Sequence, residues 1–184
     1  MSESEPIGVE PELKPPAGEV AALVAVQSLL ATPPVVRVAR GMSHFGEHAA
    51  GWLVLSAVGA LLAPRRRRDW LLVGVGALSA HAAAVLIKQV VRRARPNHPD
   101  VTVNVGTPSS LSFPSAHATS STAAAMLLCR ATGSPLPLVV VPLMALSRLV
   151  LGVHYPTDVL AGMAIGATVA GATAKFGARK ELES

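Results

Sequence analysis

Apolar residues along the chain gather into runs, and the breaks between them carry prolines or clustered charge. A helix that crosses a bilayer needs about 20 apolar residues. Gly46 to Ala63 and Trp70 to Val91 come close enough to predict two spans, separated by Pro64 and Arg65-Arg66-Arg67-Arg68. Trp70 suits an interfacial anchor. Arg92, Arg93, Arg95 and Pro96 close the second span, and residues 97–113 read as a polar loop. His117 to Ala131, Leu136 to Leu151 and Thr157 to Phe176 predict three more helices, the first short and rich in Ser and Thr at its start. Upstream, Glu19 to Ala31 is apolar at helical spacing but too short to span, and Pro33-Pro34 interrupts the pattern before Val35. The expectation is an all-α, polytopic transmembrane helix bundle with about five spans over residues 41–177. Interfacial or partly inserted helices precede it at 19–40, with a full broken span as the lesser option, after a disordered polar leader at 1–18. A charged cytoplasmic tail follows at 178–184.

Composition sharpens this picture. The chain has 184 residues, 51% of them hydrophobic and only 15% charged, against about a quarter charged in a soluble domain. An ordinary soluble fold is excluded. Its 15 glycines and many alanines suit close helix contact, where small residues let backbones approach. The net charge of +5 and pI near 10.1 would suit nucleic acid. However, the basic residues sit at the ends of apolar runs without interleaved aromatics, so membrane lipid headgroups or an anionic substrate are the expected partners, and nucleic acid is not. The single Cys129 cannot form an intrachain disulfide and has no Cys partner for a metal motif.

Charge asymmetry gives an orientation. If five helices alternate, the four-arginine loop, Arg130 and Lys175/Arg179/Lys180 share one side, which the positive-inside rule makes cytoplasmic. A multi-pass protein of the plasma (inner) membrane is expected. The opposite, extracytoplasmic side then receives the reactive residues. Arg92, Arg93 and Arg95 on that side oppose the rule, and they lose weight as topology signals if they bind substrate.

Three stretches carry the chemistry. In the first, Lys88 and Arg95 lie seven residues apart and would share a helical face, with Arg92 close by. Together they suit an anion, Arg offering a planar fork and Lys a compact charge. Arg93 points elsewhere on such a helix and reads as a headgroup-seeking side chain. The second is Phe113-Pro114-Ser115-Ala116-His117, a helix start whose free N–H groups suit phosphate. Ser115 can cap or donate, and His117 can act as acid or base. The third is Ser147-Arg148 followed by Gly152, His154, Pro156 and Asp158. A carboxylate beside an imidazole fixes its tautomer and raises its nucleophilicity. Taken singly, each stretch also has a structural reading, as snorkelling cations, a helix cap or an interfacial histidine.

In combination, Lys-x6-Arg-Pro, Pro-Ser-x-His and Ser-Arg-x5-His-x3-Asp resemble the three signature motifs of the type 2 phosphatidic acid phosphatase (PAP2) family. The resemblance covers Lys88 to Asp158 by motif and the five helices by pattern. It departs at Ala116, where the family usually has Gly, and in showing five clear spans where the family often has six. It implies a PAP2/acid-phosphatase-like core and a metal-independent phosphatase without a cofactor. By this resemblance His154 attacks phosphorus to form a phosphohistidine, Asp158 orients His154, and His117 protonates the leaving group and then activates water. Lys88, Arg95, Ser115, Ala116 and Arg148 would hold the phosphate.

Further candidates at the substrate rim are His44, Glu47 and His48, which open the first span, and Arg92, Asn97 and His98, which follow the first motif. His81 reads as packed and hydrogen-bonded. The stretch Ala22 to Ser28 and the general look of the chain resemble small actinobacterial members of the family, among them those that act on decaprenylphosphoryl-5-phosphoribose in cell-wall arabinan precursor synthesis. A lipid-linked phosphomonoester is thus the expected substrate. Undecaprenyl pyrophosphate, phosphatidylglycerol phosphate and phosphatidic acid are the alternatives, and homo-oligomerisation stays open. Two rival classes are a metalloenzyme ligated by His117, His154 and Asp158, and a non-enzymatic membrane transport or assembly subunit.

Overall fold

The structure, a computed structural model, describes residues 17–182, with side chains to residue 178. The leader therefore lies almost entirely outside the described residues, as do the side chains of the tail from residue 179. Seven α-helices follow in order: α1 Gly18–Leu30, α2 Pro33–Gly46, α3 Ala50–Leu62, α4 Arg67–Val91, α5 Ala116–Thr132, α6 Val140–Val150 and α7 Pro156–Leu182. Among the described residues there is no strand, only an isolated antiparallel bridge between Ala94 and Leu111. The all-helical expectation holds.

Helix α5 is the centre of the bundle, packed against α4, α6 and α7. Every residue from Ala118 to Ala125 is buried, and all are Ala, Ser or Thr. Small side chains on every face let three neighbours close in, which a periodic apolar stripe would not. The α5–α7 contact sets backbone against backbone. A Cβ at Gly166 would meet the Thr119 carbonyl oxygen at 2.3 Å, and one at Gly162 the Ser115 oxygen at 2.8 Å. This approach brings the two helix starts together, so that Ser115 N–H donates to the Asp158 carbonyl at 2.9 Å. At its other end α5 stops at Gly133 in the left-handed region (φ 73), and Arg66 donates to the Ala131 carbonyl there.

Among the described residues, Pro33–Leu62, Pro64–Val91 and Pro156–Ala178 are long and apolar enough to cross a membrane. Apolar side chains such as Val58, Leu61, Val75, Leu86 and Leu160 are exposed along them, as lipid-facing positions are. Helices α5 and α6 have 17 and 11 residues. The sequence pattern placed the first span's start at Gly46, but the helical path begins at Pro33. Arg37 and Arg40 make this segment look too polar; Arg40, exposed, donates to the Asn104 carbonyl at 2.6 Å. Helix α7 also continues to Leu182, beyond the apolar pattern's end at Phe176.

Candidate active site

The third motif forms a tight loop between α6 and α7. Gly152 takes φ +70, and a Cβ there would meet the Thr102 carbonyl oxygen at 2.3 Å, so glycine alone fits. Pro156 then starts α7, with its fixed φ suited to a first helical position. His154 is 3% exposed, and its Nδ1 faces Asp158 Oδ2 at 3.6 Å, longer than a formed hydrogen bond. Its Nε2 lies 3.3 Å from an Arg95 guanidinium nitrogen. A guanidinium only donates, so Nε2 is the acceptor and the ring proton sits on Nδ1, toward Asp158. Burial pushes the His154 pKa down to about 3 against the pull of Asp158, so the ring is neutral near pH 7. Asp158 is fully buried; Oδ2 accepts from Tyr155 N–H at 2.8 Å and Oδ1 from Arg93 at 2.9 Å.

The first motif reaches the same place by a different route from the one its spacing suggests. Helix α4 ends at Val91, and Arg92 takes a left-handed φ of 52 as its cap. Lys88 is thus helical while Arg95 is not, because the residue before a proline disfavours the helical region. Arg95 bridges the polar loop to the nucleophile loop, donating to the Ser109 carbonyl at 2.8 Å and the Val153 carbonyl at 2.6 Å. Burial lowers its pKa to about 10, which keeps it charged. Lys88 donates to the carbonyls of Leu111 and Ser112, both at 2.9 Å. Arg148 is 2% exposed and donates to Ser147 Oγ at 3.2 Å and Ser43 Oγ at 3.1 Å.

His117 lies in the first turn of α5, with Nε2 2.9 Å from the Ser43 carbonyl oxygen. A carbonyl only accepts, so this nitrogen carries the proton. Ser43 therefore holds both His117 and Arg148, a role that its place before His44 in the sequence does not signal. Ser115 caps α5 through Ala118 N–H at 3.4 Å and is fully buried.

These groups surround a cavity of about 610 Å³, lined by Lys88, Arg95, Ala116, His117, Arg148 and His154. Ser115 and Asp158 stand behind its wall. His44, Glu47, His48 and His81 line it further out, with the apolar Val85 and Leu86. Arg92 and Asn97 are exposed and His98 is half-buried; none of the three lines it. Arg92 is turned away because it caps α4, and His98 turns back onto its own loop, accepting from Asp100 N–H at 3.3 Å.

Two further residues depart from the sequence reading. His81 faces the cavity with Nδ1 lacking a hydrogen-bond partner, its ring 5.8 Å from that of His48. His48 and Ala49 both take left-handed φ (51 and 59), the kink between α2 and α3. Each such residue costs on the order of 1–3 kcal/mol, the kind of strain found at functional sites. Arg93 is not free: it pairs with Asp158 and with Glu19 of α1.

Three cations and the imidazoles of His117 and His154 around one cavity, with a buried carboxylate behind His154, suit an anion that undergoes nucleophilic attack. Residues 69–181 match the model of the PAP2 superfamily. The chain belongs to this family. It is 66% identical over 155 residues to the decaprenylphosphoryl-5-phosphoribose phosphatase of Mycobacterium tuberculosis, covering 84% of this chain and 88% of that protein. To the Mycolicibacterium smegmatis protein of the same name it is 68% identical over 148 residues, covering 80% and 82%. Its fold is similar to the crystal structure of a transmembrane PAP2-type phosphatidylglycerolphosphate phosphatase from Bacillus subtilis, with TM-score 0.68, 23% identity and 86% of both chains covered. The family and its curated relatives make the chain a membrane-embedded phosphatase acting on a lipid phosphate.

Proposed function

We propose that the protein removes the 5-phosphate of decaprenylphosphoryl-5-phosphoribose and spares the phosphodiester that joins the sugar to the polyprenol. The identity of 66% across most of both chains to a phosphatase of that name carries the substrate. The convergence of the three motifs on one cavity supports the chemistry. In this reading the 5-phosphate displaces the Arg95–His154 contact and lies among Lys88, Arg95 and Arg148, with the N–H groups of Ala116 and His117 at the start of α5. His154 Nε2 attacks phosphorus, and the bond from phosphorus to the ribose 5-oxygen breaks. His117 protonates that oxygen through Nδ1, with a proton it takes from the bound phosphomonoester monoanion, while its Nε2–H stays on the Ser43 carbonyl. Asp158 balances the charge on the phosphorylated imidazole. Water, losing a proton to His117, then attacks the phosphohistidine and releases phosphate. Positioning and charge stabilisation supply most of the catalysis in such transfers.

The outer wall suits the rest of the head group. Seven residues separate His81 from Lys88, which puts it about 10.5 Å along α4. That distance matches a sugar and its diester laid between the phosphate clamp and the lipid tail. His44, Glu47, His48 and His81 would offer donors and acceptors to the sugar, while Val85 and Leu86 meet the polyprenol. The cavity opens on the extracytoplasmic face in this reading, and the lipid crosses the plasma membrane before it is dephosphorylated. Phosphate release from a panel of lipid phosphates tests the substrate, with His154→Ala as control and EDTA as the metal arm. Activity should be greatest on the phosphoribosyl lipid, resist EDTA and vanish in the variant. Equal turnover of phosphatidic acid would reject the substrate assignment, and loss to EDTA would reject the metal-free mechanism.

A further inference from the structure

We propose that Glu19, on the N-terminal helix α1, is a positioning residue for phosphoryl transfer: through Arg93 and Thr157 it fixes the orientation of Asp158, and with it His154. Glu19 lies outside the segment matched by the family model. One of its oxygens accepts from Thr157 N–H at 3.0 Å and from Thr157 Oγ at 2.6 Å, and the other pairs with Arg93 at 2.5 Å. Arg93 in turn donates to Thr157 Oγ at 2.7 Å and to Asp158 Oδ1 at 2.9 Å, and its guanidinium stacks 4.0 Å from the Tyr155 ring centroid. Every group that the Arg93 guanidinium touches apart from Glu19 belongs to the nucleophile loop or the first turn of α7. It does not line the cavity, so it does not hold phosphate.

Charge balance gives Glu19 its purpose. Asp158 must supply one negative charge to the imidazole when His154 takes up a phosphoryl group. Arg93 and Asp158 alone sum to zero, which would leave Asp158 serving Arg93. With Glu19 the three groups sum to −1, and Asp158 Oδ2 stays available to His154. Geometry points the same way: the carboxylate is held by Arg93 on one oxygen and by Tyr155 N–H on the other, so the Nδ1 of His154 meets a fixed partner. Helix α1 is itself anchored at Gln27, which donates to the carbonyls of Thr102 (2.7 Å) and Val150 (3.1 Å) and accepts from Thr102 N–H (3.0 Å), so Glu19 is presented from a docked element.

This inference rests on His154 being the nucleophile, and the experiment separates the two claims. Glu19→Gln is measured in the native background and in Asp158→Asn, on whichever lipid phosphate the native enzyme turns over. The Ki of inorganic phosphate reports the clamp. A charge-assisted hydrogen bond lost from a catalytic partner predicts a fall in kcat of about tenfold. KM and the phosphate Ki should stay within about twofold, and the variant should cause no further loss in Asp158→Asn. Thr157→Val, which keeps both charges, should give a smaller loss of the same kind. Independently of turnover, the His154 Nδ1 proton resonance of the phosphate-bound enzyme should move upfield in Glu19→Gln. An equal loss in both backgrounds, a change in KM alone, or an unmoved resonance overturns the proposal. Full activity in His154→Ala overturns the nucleophile assignment instead.

Discussion

His154 owes its proposed chemistry to what its two ring nitrogens face. Arg95 can only donate to Nε2, so the lone pair lies on the cavity side, and Asp158 stands behind Nδ1. Asp158→Asn removes that charge while keeping the shape, and should lower kcat by roughly a thousandfold or more, as when a triad carboxylate becomes an amide. Rapid-quench trapping of phosphohistidine checks this. The sequence spacing exposed His154, Asp158, His117, Lys88, Arg95 and Arg148, because a signature of fixed residue types is local. It did not expose Ser43, Arg93 or His81. Their importance comes from partners 105, 65 and 33 positions away in the chain, at Arg148, Asp158 and His48, and no local pattern carries such pairings. His81→Ala should raise KM for the phosphoribosyl lipid by about tenfold, the worth of a hydrogen bond or two to substrate hydroxyls. It should leave phosphatidic acid hydrolysis unchanged, so comparative kinetics on the two lipids provide the check.

Whole elements position these residues. The α5–α7 contact depends on Gly162 and Gly166, and a methyl group at Gly166 would strike backbone rather than a yielding side chain. Gly166→Ala should therefore destabilise the fold by about 1–3 kcal/mol, as overpacking does, and reduce activity by parting Ser115 from Asp158. Thermal unfolding in detergent measures the first effect. The helices were legible from apolar run length, but the start of the first span was not. Arg40 and the kink at His48 break the hydropathy pattern, although the helical path runs from Pro33. The apolar pattern predicts an interfacial or partly inserted helix α1, and the structure docks it at Gln27 and Glu19, pairings that no local pattern carries. Burial opposes ionisation of Glu19, but hydrogen bonds from Thr157 and Arg93 outweigh it and hold the carboxyl below its usual range. A depressed carboxyl pKa contributes stability above the unfolded value of 4.5, and that contribution is lost as pH falls through the folded one. Protection factors along α1, which remove the intrinsic pH dependence of exchange, should accordingly be high near neutrality and fall as the pH drops below 4.5.

At the scale of the molecule, three cations gathered at one end of an apolar bundle make sense only with an anion between them, and the exposed apolar faces require that the anion arrive on a lipid. The proposed orientation rests on the four-arginine loop at the other end. A cysteine placed at Asn104 should react with an impermeant reagent in intact cells; labelling only after lysis would invert the topology. The central claim is that a histidine-based phosphatase removes the terminal phosphate of a polyprenyl sugar lipid. Its most direct test is phosphate release by the purified protein from decaprenylphosphoryl-5-phosphoribose, beside His154→Ala. The native chain should release phosphate and the variant none. No release from this lipid, or equal release by both proteins, would contradict the claim.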